Sequence, residues 1–204
     1  MNNYNIGFFE KDHQGKLISV DQGYLKHLGK NIADVVGKME VDICELKPFH
    51  KQYSIGERES ILLKGTSIQR ELFYFNESGP EPIITTRAFI KHAPYIIRGF
   101  FFKLSKSPVS WDGKYLTIHN YIKPAKLSLL KFYVLTLKCR GLSNLEIAKR
   151  IYRAESTVRN IIQDLHIIFE IYDIITLSRY FDLGHWLNKL TIELLSEKFG
   201  TNLQ

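Results

Sequence analysis

The stretch GLSNLEIAKRIYRAESTVRN, residues 141–160, holds two short helical patterns separated by a few residues. Gly141 closes the pattern before it, in LLKFYVLTLKCRG, because glycine takes the left-handed closing conformation at little cost. Ser143 and Glu146 then form S-x-x-E, a capping box in which each side chain satisfies the other's orphan backbone donor. Ile147, Ala148 and Ile151 fall on one face of the helix so started, and the YRA run interrupts it. Glu155 restarts the pattern with a negative charge suited to a helix N-terminus. From there Val158, Ile161, Ile162, Leu165, Ile168 and Phe169 recur at three and four, which predicts a buried stripe. Ser156, Arg159, Asn160, Gln163 and His166 lie opposite.

That opposite face carries recognition chemistry. Arg bonds bidentately to guanine edges, Asn and Gln to adenine, and Ser or Thr to phosphate or base. Two short helices joined by a tight turn are the geometry that docks such a face in the major groove. The candidate DNA-binding residues are Asn144, Lys149, Ser156, Thr157, Arg159, Asn160 and Gln163. Arg159, Asn160 and Gln163 are expected to face bases. Lys149, Thr157 and Asn144 are expected to contact phosphates.

Charge points the same way. The chain has a formal net charge of +7. Residues 114–163 hold ten Lys or Arg against two acids, whereas 164–204 hold three against six. The positive charge is therefore focused on the segment that contains the two short helices, and a polyanion is the partner it suits. Composition excludes other classes. No apolar run approaches the roughly 18 residues of a spanning helix, and the start, MNNYNIGFFEKD, lacks a basic region followed by an apolar stretch, so a cytoplasmic location is expected. Cys44 and Cys139 stand far apart without a C-x-x-C partner, and no histidines pair at metal-ligand spacing. With no nucleophile beside a base and no metal cluster, no enzymatic activity is expected.

The run LSLLKFYVLTLKCRGLSNLEIAKRIYRAESTVRNIIQDLHIIF resembles the LuxR-type helix-turn-helix, on Gly141, Leu142, Ser143, Asn144, Glu146, Ile147, Ala148, Glu155, Thr157, Val158 and Arg159. The resemblance implies double-stranded DNA as partner and a homodimer as the assembly. Tyr133 stands where that family usually has Glu, Arg153 where it has an apolar turn residue, and Ala154 where it has a Ser cap. Ile161 replaces a common His, and Ile168, Phe169 and Glu170 replace the usual K-L-G.

The first hundred residues read as two strands, IGFFEK and LISV, then helices in DQGYLKHLG, NIADVV and HKQYSIGERESILLKG, then three extended runs. That order predicts an α+β domain with an antiparallel sheet. It resembles a PAS domain on Ile6 to Phe9, Asp12, Gly15, Leu28, Gly29, Val36 to Lys38 and Asp42. The resemblance implies a small-molecule or cofactor pocket, or a dimerisation surface; the ligand stays unknown. The reactive-Cys motif of the flavin-binding subfamily is missing, and His27, His50 and His92 are haem-ligand candidates by residue type alone. Phe8, Phe73, Phe75, Phe89, Phe100 and Phe102 are expected in the core or lining a pocket.

The expected organisation is an α+β chain: a PAS-like sensor domain at 1–107, a linker at 108–123 with room for one short strand or helix, and a helix-turn-helix domain at 124–204. An extra C-terminal helix carries Leu187, Leu190, Leu194 and Leu195 on one side, to pack on the core or pair with a second subunit. The expected function is ligand-sensing transcription regulation. The alternative is a PAS-type interaction module whose helix-turn-helix no longer reads sequence.

Overall fold

The computed structural model describes residues 6–91 and 94–200, and the chain divides into two compact units, Met1–Leu104 and Ser105–Gln204. In the first unit, strands β1 (Ile6–Lys11) and β2 (Leu17–Val20) precede helices α1 (Gln22–Leu28), α2 (Ile32–Val35) and α3 (His50–Leu63). Single 3-10 turns at Glu40–Asp42 and Lys47–Phe49 lead into α3. Strands β3 (Thr66–Phe75), β4 (Gly79–Ile90) and β5 (Ile96–Lys103) complete an antiparallel sheet of order β2-β1-β5-β4-β3. Two strands, helices, three strands is the order that the PAS resemblance implies. Helix starts follow local chemistry: the Asp21 carboxylate accepts from the Tyr24 N–H at 2.8 Å to cap α1, and Gly29, at φ 68°, ends it.

The helix-facing side of the sheet changes character along its strands. At one end Phe73, Phe75, Phe101 and Tyr24 form a ring cluster, with the Phe73 and Phe101 centroids 4.4 Å apart. At the other end the same face is ionic. Arg87 bonds both carboxylate oxygens of Glu71 at 2.9 Å, and both residues are buried. The Lys11 ammonium, also buried, bridges Glu40 and Glu57. Both cations lie over the Phe9 and Tyr53 rings, 5.6 to 5.9 Å from the centroids. Gly56 makes room for this cluster, since a Cβ there would meet the Arg87 guanidinium at 2.6 Å.

Of the expected core phenylalanines, Phe73, Phe75 and Phe102 are buried, but Phe8 is half exposed and Phe89 and Phe100 are half-buried. For Phe8 and Phe100 strand parity is the reason, whereas Phe102, of the same parity, is buried on the face away from the helices, and Phe89 lies on the helix-facing side near the end of its strand. Phe9 and Phe101 are the residues that face the helices, which puts Phe8 and Phe100 on the opposite side, paired with each other at 5.7 Å. The His27 ring packs edge-on against Phe75, and His50 Nδ1 meets the Lys47 carbonyl at 2.8 Å. His92 lies outside the described residues.

The second unit opens with β6 (Val109–Trp111), β7 (Tyr115–Ile118) and β8 (Ala125–Ser128), an antiparallel sheet of order β6-β7-β8. Residues 108–123, expected as a linker, therefore contain two strands. Asp112 makes the first turn by accepting from the N–H groups of Lys114 and Tyr115 at 2.9 and 2.7 Å. The inward residues Val109, Leu116, Ile118, Ala125 and Leu127 are buried. Five helices follow: α4 (Leu129–Cys139), α5 (Asn144–Arg150), α6 (Glu155–Phe169), α7 (Ile174–Leu183) and α8 (Lys189–Phe199). In α8 Leu195 is buried, Leu194 is half-buried and Leu190 is the outermost of the expected stripe, so the helix packs on the core; Leu187, half-buried, lies just before the helix.

Two outcomes test the ionic half of the first unit. Removing one partner of a buried pair strands the other charge, so Glu71→Ala should lower stability by about 3–5 kcal/mol, read from urea unfolding. The second concerns pH. Burial raises the Glu40 carboxyl above its usual range, Lys11 opposes this and Glu57 adds to it. A raised folded pKa gives stability that is full below the ordinary glutamate range and is lost as pH rises through the elevated value. The Glu40 contribution should therefore shrink on going from acid toward neutral pH, so the stability of Glu40→Gln relative to the parent chain should rise over that range in a thermal-melt series.

Candidate nucleic-acid interface

The turn between α4 and α5 sets the entry to the interface. Gly141 takes φ 87°, and Ser143 caps α5 by accepting from the Glu146 N–H at 3.3 Å. The Glu146 carboxylate returns the bond, accepting from the Ser143 N–H at 2.7 Å and hydroxyl at 2.6 Å. The Ser143 side chain and backbone hold that carboxyl below the usual range. Asn144 is half-buried and accepts from the Lys138 ammonium at 3.0 Å, which anchors its oxygen and leaves the amide NH2 as the end suited to a phosphate.

Residues 151–154 form the turn into α6. Ala154 has extended backbone (φ −68°, ψ 148°) at the cap position and supplies no side-chain cap bond. Beyond it Val158, Ile161, Leu165 and Phe169 are buried, while Ile162 and Ile168, expected in the same stripe, are half-buried at its margins. The C-terminal end is tightly held. Tyr121 donates to the Phe169 carbonyl, Trp186 Nε1 donates to the Asn120 carbonyl at 2.9 Å, and Asn120 donates to the Gly184 carbonyl at 3.1 Å. The Phe169 and Trp186 rings stack at 5.0 Å.

Ser156, Arg159, Asn160 and Gln163 are all exposed, side by side on the face away from that stripe, and Thr157 is half-buried beside them. Lys149 is exposed on α5. His166 does not share the open face: its Nδ1 meets the Ile171 carbonyl and its ring stacks on Tyr172, because α6 ends one turn later. Arg159 pairs with Glu155 along the helix at 3.1 Å, a contact that spacing of four permits and that sequence reading missed. Both partners are well exposed, so releasing the guanidinium costs only about 0.3–0.5 kcal/mol. Arg150 and Arg153 are exposed and have no carboxylate partner among the described residues. Neither was among the expected contacts, although both lie in the basic segment.

The first unit thus has the strand and helix order that the PAS resemblance implies, and the second carries α5 and α6 joined by a tight turn. No family profile and no curated protein matches the sequence. Solved structures do. A Vibrio cholerae VqmA dimer, described in connection with LuxR-type receptors, is 16% identical over 95% of this chain and 88% of its own, with a TM-score of 0.43. A phage VqmA in complex with DPO is 14% identical over 98% and 88%, at 0.41. The PAS domain of Bordetella pertussis BvgS is 13% identical over 50% and 77%, at 0.38. Among the described residues no group of His, Cys, Asp and Glu is placed to hold a metal, and no helix is long and apolar enough to cross a membrane.

The uncapped start of α6 yields a direct expectation. Its backbone angles already suit a serine cap, so Ala154→Ser should add about 1 kcal/mol, seen as a raised thermal midpoint of the full chain.

Proposed function

We propose that this protein is a cytoplasmic, DNA-binding transcription regulator. In this reading α6 enters the major groove under the control of a PAS-like domain that senses a small ligand or mediates dimerisation. One observation carries it: Arg159, Asn160 and Gln163, three side chains able to read bases, are exposed together on the side of α6 opposite its buried stripe. Ser156 and Thr157 sit at the helix start, with Lys149 and Asn144 on the preceding helix for phosphates. The protein acts as a homodimer in this reading, because two copies of so short a reading helix are needed to span a specific operator.

The experiment is binding to a selected operator and to a scrambled duplex at one fixed salt concentration. Arg159→Ala should cost roughly 1–3 kcal/mol on the operator and relax preference at one base position, whereas Lys149→Ala should weaken both duplexes alike. Log affinity should fall with log salt at about −0.9 per phosphate neutralised. Equal losses on both duplexes for Arg159→Ala would make it another phosphate contact. No loss on either would remove this face from DNA and leave an interaction module.

A further inference from the structure

The turn between α5 and α6 holds a side chain that the fold does not use. Tyr152 is 90% exposed, the most exposed of the large hydrophobic residues described. Its backbone is left-handed, at φ 53°, a conformation that a side chain with a Cβ disfavours and that is uncommon for a bulky residue. The backbone around it is held by other groups: the Tyr152 N–H reaches the Lys149 carbonyl at 3.4 Å and the Arg153 N–H reaches the Ala148 carbonyl at 3.0 Å. The ring thus stands in solvent on a strained residue, and a glycine would serve the turn as well.

Its surroundings are cationic. Lys149, Arg150 and Arg153 are exposed on either side of it. The two acids within reach along the chain are engaged elsewhere, Glu146 in the α5 capping box and Glu155 with Arg159. An aromatic hydroxyl among uncompensated cations, four residues before Ser156 and about two turns before Arg159 and Asn160, suits the sugar-phosphate backbone flanking the groove that α6 enters. From this we infer that Tyr152 contacts DNA, its ring lying on the sugar edge and its hydroxyl donating to a phosphate oxygen, with Arg150 and Arg153 neutralising the neighbouring phosphates. The inference rests on the DNA-binding reading and adds a contact that positions the helix without reading sequence.

The test uses the full chain with Tyr152→Gly and Tyr152→Phe on the selected operator and the scrambled duplex. Tyr152→Gly should lose about tenfold in affinity on both duplexes alike, in the range of one charge-assisted hydrogen bond plus ring contact, with its thermal midpoint unchanged or raised. Tyr152→Phe, which keeps the ring and cannot unsettle the turn, should lose about threefold, again on both. Wild-type affinity in both variants, while the parent chain binds DNA, overturns this contact and leaves the DNA-binding reading intact. A loss confined to the operator also overturns it, since that would make Tyr152 a base reader. A parent chain that binds neither duplex overturns both the contact and the reading it rests on.

Discussion

Six consecutive buried residues, Phe132 to Leu137, make α4 the element on which the second unit depends. A helix apolar all round needs neighbours on every side. Strands β7 and β8 and helices α5, α6, α7 and α8 all pack against it. The Phe132 ring stacks on Phe181 and the Tyr133 ring on Phe199, at 6.0 and 4.6 Å. This accounts for the departure from the LuxR-type pattern at Tyr133. With α8 lying over that position, a glutamate would be a buried charge without a partner, whereas a ring fills the space. The Tyr133 hydroxyl is itself buried and finds no hydrogen-bond partner among the described residues, so the stacking offsets a desolvation cost of about 1–3 kcal/mol.

What was legible in the sequence is what local chemistry decides. Ser143 and Glu146 specify a capping box at any place where they stand three apart, and Val158, Ile161 and Leu165 specify a buried face by period alone. Neither needs knowledge of the rest of the chain. The sheet at 109–128 was missed because its strands are only three or four residues long, too short for alternation to stand out beside Pro108, Gly113 and Pro124. Its turn signal, Asp112 followed by Gly113, was present and is the cue that marks a hairpin. The departure of His166 from the reading face was illegible for another reason. It depends on where α6 stops, and Glu170 takes a left-handed φ of 54° that no residue type there announces.

The ionic half of the first unit shows a harder limit. On β3, Gln69, Glu71, Phe73 and Phe75 share one face, so period two alone cannot tell which end of the strand is core. Polar residues on a strand read as solvent-facing, yet Glu71 and Arg87 are buried because they share one face of neighbouring strands, where the long Arg87 side chain reaches diagonally from its place opposite Ser67 to satisfy Glu71 bidentately. Only the pairing of β3 with β4 brings them together. Burial of the Glu40 carboxyl raises it above its usual range, and Lys11 and Arg87 oppose this while Glu57 adds to it, so the same burial that hides this cluster from sequence pattern also sets its electrostatics.

The candidate interface and its support differ along the same helix. At its C-terminal end α6 is fixed by the Tyr121 and Trp186 contacts and by a buried Phe169, and its stripe is packed throughout. At its N-terminal end the cap position is an alanine, the preceding turn is strained, and the arginine that would read bases is held only by an exposed pair. Rigidity is thus concentrated where the helix must be oriented. The weakly satisfied end is the one that would meet DNA, and there phosphate oxygens can accept from the open N–H groups of the first turn as a side-chain cap would. A serine cap would compete for those donors. If this end does meet DNA, an uncapped helix start, costly in the free protein, would leave its first N–H groups to a bound phosphate, and the stability given up at residue 154 would be recovered on binding.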